Sequence, residues 1–185
     1  MTNDGHRLVG EGAGAQILTC TRWTELTESL KFHACLAHIL QLPTEFRLLN
    51  SRRPLVIGGS DPEVFGQFME ALEDSPGGGT PLCRHISEII EQIQVLEPHL
   101  RATGQKAVII IATDGKSSDG DIIAAMSPLQ HLPVWVVIRL CTDDRKTVNY
   151  WNNVDGELEI NIDVLDDFVA EAQEVNQVRL DQLSV

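Results

Sequence analysis

The chain is short of positive charge. Its 185 residues carry 14 Lys and Arg against 27 Asp and Glu, a formal net charge of −13 at pH 7. So much acid repels phosphate backbones and anionic headgroups, which argues against a general nucleic-acid binder and against attachment to an acidic membrane. Residues 1–104 hold 8 basic and 13 acidic side chains and residues 105–185 hold 6 and 14, so neither half is basic. Long apolar runs are missing too, none approaching the roughly 18 residues a membrane-crossing helix needs. The first twelve residues, MTNDGHRLVGEG, lack the apolar stretch of a secretory leader. Only four cysteines occur, Cys20, Cys35, Cys83 and Cys141, without the CxxC pairing of a zinc site. They read as small buried hydrophobes in a reducing compartment, and the expected location is cytoplasmic.

Several catalytic signatures are also missing. The tract Gly77-Gly78-Gly79-Thr80 has no lysine to reach a phosphate, so it is no P-loop. Gly58-Gly59-Ser60 lacks the G-x-S-x-G elbow of a hydrolase. Gly10, Gly12 and Gly14 alternate as in a dinucleotide fingerprint, but no strand precedes them and the third glycine is misplaced, which leaves a loop. His33 and His38 stand five apart on one helix rather than at the i, i+4 spacing of a metal pair. Cys83 and His85, two apart on another, point in different directions and make a poor nucleophile pair.

What remains is the composition of a folded domain, 43% hydrophobic and 22% charged, in a chain long enough to bury a core. Residues 1–20 read as an N-terminal loop and helix lead-in, 21–178 as one α/β domain and 179–185 as a tail. Trp23, Leu26, Leu30, Ala34, Ala37 and Leu40 recur at helical spacing over 22–40, and Pro43 closes that helix. Short strands are expected at Glu45–Asn50 and Leu55–Ile57. Asp61-Pro62 opens a helix to about Glu73, and Thr80-Pro81 opens a longer one lined by Leu82, Ile86, Ile89, Ile90, Ile93, Leu96 and Leu100. The run Lys106–Thr113 (KAVIIIAT) is the strongest strand, of the kind buried on both faces in a parallel sheet. A short helix over Asp121–Leu129, a strand at Val134–Leu140, a helix around Asp144–Asn152, a strand near Leu158–Ile162 and a last helix from Val164 complete the pattern. Alternating strands and helices predict a doubly wound, mainly parallel sheet with helices on both faces.

Ligands in such sheets bind beyond the carboxyl ends of the strands. Asp114 stands there, ending the long strand in ATDGKSSDG, and Thr80 stands where the glycine loop opens the next helix. A carboxylate and a hydroxyl are hard oxygen donors suited to Mg²⁺ or Mn²⁺. The plainer readings are a helix N-cap for Thr80 and a turn for Asp114-Gly115. Ser117, Ser118 and Asp119 could add outer contacts to a metal, or Ser118 or Asp119 could cap the following helix.

The combination GGGTPL…IIIATDG, in this order of elements, resembles the von Willebrand factor A domain over about Met1 to Asn176. The resemblance implies a protein-interaction module rather than an enzyme. It implies a metal-ion-dependent adhesion site in which a divalent cation accepts an acidic side chain of a protein partner, with Thr80 and Asp114 as metal ligands. The family's Asp-x-Ser-x-Ser motif, at the end of a central first strand, has no counterpart here, and Met1 falls where a methionine commonly follows that motif. The chain is therefore expected to start one strand late, with two of five ligand positions left and a cation affinity no tighter than roughly millimolar. The alternative is an α/β metal-assisted hydrolase using the same crevice.

Overall fold

The computed structural model describes residues 5–9, 16–51, 53–142, 144–158, 160 and 162–165. They fall into two compact units, Met1–Gly79 and Thr80–Val185. Together they are mixed α/β, with five α-helices among the described residues.

In the first unit, β1 (Gly5–Val9) and β2 (Gln16–Cys20) pair antiparallel, Gly5 opposite Cys20 and Val9 opposite Gln16. Residues 5–9 and 16 are therefore strand where a loop over residues 1–16 is expected; residues 1–4 and 10–15 lie outside the described residues. In such a pair the facing N–H and C=O groups of alternate residues bond across the strands, where a solvated loop leaves them to water. The same pairing occupies Ile17 and Leu18, which read as a helix lead-in from sequence.

Helix α1 spans Arg22–Leu40, its start capped by the Thr21 hydroxyl, which accepts from the Thr24 N–H at 3.1 Å. It ends at Gln41, in the left-handed region at φ 52, with the Leu42 N–H donating to the Ala37 carbonyl at 3.0 Å. Thr27, Ala34 and Ala37 are buried, whereas Leu40, expected to complete the apolar stripe, is exposed.

Strands β3 (Thr44–Phe46) and β4 (Leu55–Ile57) pair antiparallel, with Glu45 opposite Val56. The first is shorter than the Glu45–Asn50 expected. Its link to β4 is also far shorter than the dozen or more residues a parallel crossover needs, so the pair must be antiparallel. Helix α2 covers Glu63–Ala71, and the Asp61 carboxylate accepts from the Glu63 N–H at 3.0 Å, as the Asp-Pro start predicts. Ala34, Ala37, Ile57, Phe68 and Leu72 form the buried core of this unit, with the Phe46 and Phe68 rings 4.5 Å apart. His38 stacks on Phe65 with ring centroids 4.7 Å apart.

The second unit runs α3 (Leu82–Thr103), β5 (Ala107–Thr113), α4 (Ile122–Met126), a 3-10 turn (Ser127–His131), β6 (Val134–Leu140), α5 (Arg145–Glu157) and β7 (Ile162–Leu165). The three strands form one parallel sheet in the order β5-β6-β7, Ile111 beside Ile138 and Ile138 beside Val164. Helix α5 runs beyond the expected end at Asn152 and closes on the buried Leu158, whose N–H donates to the Val154 carbonyl. The last strand is shifted accordingly, from the expected Leu158–Ile162 to Ile162–Leu165. Val164, expected to open a helix, lies in β7; the rest of that helix and the tail fall in residues 166–185, outside the described residues.

The sheet is buried on one face only. Ile109, Ile111, Val134, Val136, Ile138 and Leu140 are buried, while Val108, Ile110 and Trp135 on the opposite face are exposed. That corrects the expectation that β5 is covered on both sides. The strands advance through the sheet in one direction, and right-handed crossovers then place successive helices on the same side. The two crossover helices, α4 and α5, accordingly pack together, and α3 also packs against α4. No described helix is long and apolar enough to cross a membrane. All four cysteines are free thiols.

Candidate functional site

The loop after β5 carries Asp114, Gly115, Lys116, Ser117, Ser118 and Asp119, and it is held at both sides. Ser118 makes two bonds to Thr80: its N–H donates to the Thr80 carbonyl at 2.9 Å, and its hydroxyl accepts from the Thr80 N–H at 2.8 Å. These bonds bring the two loops that bear Thr80 and Asp114 together at the carboxyl end of β5. No hydrogen bond joins Thr80 directly to Asp114 among the described residues. Asp114 is exposed and Thr80 half-buried.

Asp119 reaches the start of α3. Its two carboxylate oxygens accept from the Cys83 N–H at 3.0 Å and the Arg84 N–H at 2.9 Å, and Ser117 donates to the same carboxylate at 2.6 Å. This overturns two expectations. Thr80 does not cap α3 with its hydroxyl, since Asp119 satisfies the first free N–H groups from 35 and 36 residues away. Nor does Ser118 or Asp119 cap α4; the Asp121 carboxylate does, accepting from the Ile123 N–H at 3.0 Å. The carboxylate at the positive end of a 22-residue helix is favourably placed against the helix dipole.

Local chemistry sets the acidities. Partial desolvation pushes Asp119 up, but the hydrogen bonds from Ser117, Arg84 and Cys83 outweigh it and lower its pKa to about 2. Burial pushes the Cys83 thiol up; the bond to Ser117 opposes this, and the charges of Asp119 and Asp121 add to it. A buried thiol of raised pKa, with its sulfur 3.2 Å from the Ser117 hydroxyl, is a poor nucleophile. Tyr150 is raised by burial, then by Cys83 and Asp121.

The far side of the loop rests on α5. The buried Trp151 ring donates its N–H to the Gly115 carbonyl at 3.1 Å, and Lys116 lies 4.6 Å from the Tyr150 ring centroid. Thr113, at the end of β5, bonds Gly115 through its hydroxyl both as donor, at 3.1 Å, and as acceptor, at 3.2 Å. Sequence reading passed over Trp151 and the part Ser118 plays with Thr80. The available signal was the length of the run ATDGKSSDGD, which holds more capping side chains than one helix start needs.

Asp119→Ala should therefore destabilise the protein by about 1 kcal/mol at neutral pH, the usual cost of a lost cap. Because the folded-state pKa lies below the ordinary 3.8, this stabilisation is present above about pH 4 and fades as pH falls through about 2. Urea denaturation of the wild type and the variant between about pH 7 and 3 should show the gap narrowing toward acid. A gap that widens would contradict the cap.

The oxygens that could hold a divalent cation are few. Ser117 and Asp119 are committed to each other and to α3, and Ser118 to Thr80. Within these two loops no hydrogen bond engages the Thr80 hydroxyl or the Asp114 carboxylate among the described residues. Among those residues no group of three or more His, Cys, Asp or Glu could hold a metal. A hydroxyl and a carboxylate are the donor types that a hard cation takes while keeping most of its water.

No family model, curated protein or solved structure matches the chain. The class that the fold defines is a mixed α/β protein with a parallel three-stranded sheet.

Proposed function

We propose that the chain is a von Willebrand factor A-like protein-interaction module and not an enzyme, with the loops beyond β5 and before α3 as its contact surface. In this reading the three parallel strands belong to a doubly wound, Rossmann-like sheet. The observation that carries it is the pair of hydrogen bonds between Ser118 and Thr80, which sets Thr80 and Asp114 in adjoining, braced loops. Thr80 and Asp114 are the residues that hold Mg²⁺ or Mn²⁺, and a bound cation supplies a Lewis-acidic position for a carboxylate of the partner protein. Bracing by Asp119 and Trp151 keeps both loops in place without the cation. Partner binding is then weakly metal-dependent.

Titration calorimetry of the full chain with Mg²⁺ and with Mn²⁺ should give dissociation constants no tighter than about millimolar, two protein oxygens displacing little water. Asp114→Ala, at an exposed position, should abolish the residual heat and leave the urea midpoint unchanged. Micromolar affinity that depends on Asp114 would contradict the weak site. For the interaction itself, an immobilised carboxylate-rich peptide should retain the wild type more than Asp114→Ala. Turnover of an ester or phosphate substrate, lost in Asp114→Ala, would instead establish a hydrolase.

A further inference from the structure

Among the described residues, β5 has β6 on one side and no strand on the other. The Ala107 N–H donates to the Pro133 carbonyl at 2.9 Å, and the Thr113 carbonyl accepts from the Cys141 N–H at 2.8 Å, both on the β6 side. The two backbone groups of a strand residue point the same way, and successive residues alternate. Residues 107, 109, 111 and 113 therefore face β6, while Val108, Ile110 and Ala112 turn their N–H and C=O groups to the open edge. No hydrogen bond engages those groups among the described residues. Natural edges are blunted by a proline, a charge or a bulge. The strand AVIIIAT has neither proline nor charge, and its pairing to β6 runs one to one without a bulge. Val108 is 61% and Ile110 59% exposed, so this edge is open to a further strand.

We propose that β5 pairs antiparallel with β5 of a second copy, about a two-fold axis at Ile110. In that register Ile110 faces Ile110 and Val108 faces Ala112, each pair exchanging both of its N–H···O bonds. The charges at the ends of the strand match as well. Lys106 and Asp114 are both exposed and stand equally far from Ile110, one on each side. Neither has an ion pair among the described residues. The two-fold sets each Lys106 opposite the Asp114 of the other copy, within reach of an ion pair. Slipping the register by two residues keeps backbone bonds but parts these charges, so they select the alignment. The joined sheet has β5 of both copies at its centre, where a continuous apolar strand belongs. A net charge of −13 on each copy opposes association, and the interface is small. The dimer is therefore weak, with a dissociation constant of roughly 10–500 µM at about 0.15 M salt. At the lower concentrations of a denaturation experiment the chain is a monomer. The association requires no cation.

Sedimentation velocity of the full chain from about 5 to 500 µM, in EDTA so that no cation engages Asp114, should show a monomer–dimer equilibrium. Ile110→Lys, at an exposed position, sets two ammonium groups against each other on the axis and should weaken the dimer more than about tenfold. Lys106→Asp and Asp114→Lys should each weaken it about tenfold, because each reversal opposes like charges at both ends of the pair. Asp114→Lys is the sharper of the two. It takes the net charge from −13 to −11, which by itself favours association, so a weaker dimer reports the local pair. The double variant Lys106→Asp/Asp114→Lys should return the dissociation constant to within about threefold of wild type. A chain that stays monomeric to about 500 µM, its edge then left to a different protein, would overturn the proposal. So would a dimer insensitive to Ile110→Lys, single reversals without effect, or a double variant that fails to recover.

Discussion

Gly58→Ala should destabilise the protein by at least about 3 kcal/mol, a large part of the stability of a small domain. Gly58 follows β4 in the left-handed region at φ +80, where an L-residue costs roughly 1–2 kcal/mol. A Cβ there would also lie 2.7 Å from the Ala37 carbonyl oxygen and closer still to that of Leu42. Both are backbone atoms at the end of α1, where Ala37 accepts from the Leu42 N–H, so neither can swing aside. Either the last turn of α1 or the end of β4 must move, and Ala37 and Ile57 belong to the same core. Gly59→Ala is the control: its Cβ would meet nothing closer than 3.9 Å, and the cost should stay within about 1 kcal/mol. Equilibrium urea denaturation separates the two, and equal midpoints would refute the steric argument.

Trp151→Ala should cost about 3–5 kcal/mol, the range for deleting a large buried aromatic side chain. The ring has no exposed surface, and its N–H is bonded to the Gly115 carbonyl, so the substitution both opens a cavity and releases the loop that carries Asp114. Trp151→Phe divides the two effects. It keeps most of the packing and removes one of the two hydrogen bonds to the Gly115 carbonyl, the one from the Thr113 hydroxyl remaining, for about 1 kcal/mol. Denaturation monitored by far-UV circular dichroism would measure both. A loss below about 1 kcal/mol for Trp151→Ala would mean that the ring is not the support of the loop.

These two residues were not conspicuous in the sequence. Gly58 stood out only as a break after a short strand, and Trp151 lay in a polar stretch, YWNNVDGE, whose helix continues through Gly156. Neither the carbonyls that crowd Gly58 nor the Gly115 carbonyl that Trp151 meets is a sequence neighbour.

By itself the sequence determined whatever depends on spacing along the chain. Apolar residues three and four apart placed α1 at Arg22–Leu40, and Asp61-Pro62 marked the start of α2. The β-branched runs located β5 to within one residue and β6 at Val134–Leu140. Thr80 and Asp114 could be picked out because a Thr-Pro helix start and the turn after a strand are local signals.

Only the tertiary structure decided which surfaces these elements share. A continuous run such as VIII reads alike whether one or both faces are covered, so the exposure of Val108 and Ile110 follows from where the helices lie. The antiparallel β1-β2 pair arises from hydrogen bonds between segments separated by a glycine-rich stretch that reads as loop throughout. Capping was the clearest case. Thr80 and Asp119 were both chemically able to cap α3, and proximity in sequence favoured Thr80. Asp119 prevails because the loop after β5 folds back to the start of α3, where one carboxylate meets two free N–H groups at once. A hydrogen bond depends on distance in space, and chain spacing fixes that distance only within an element.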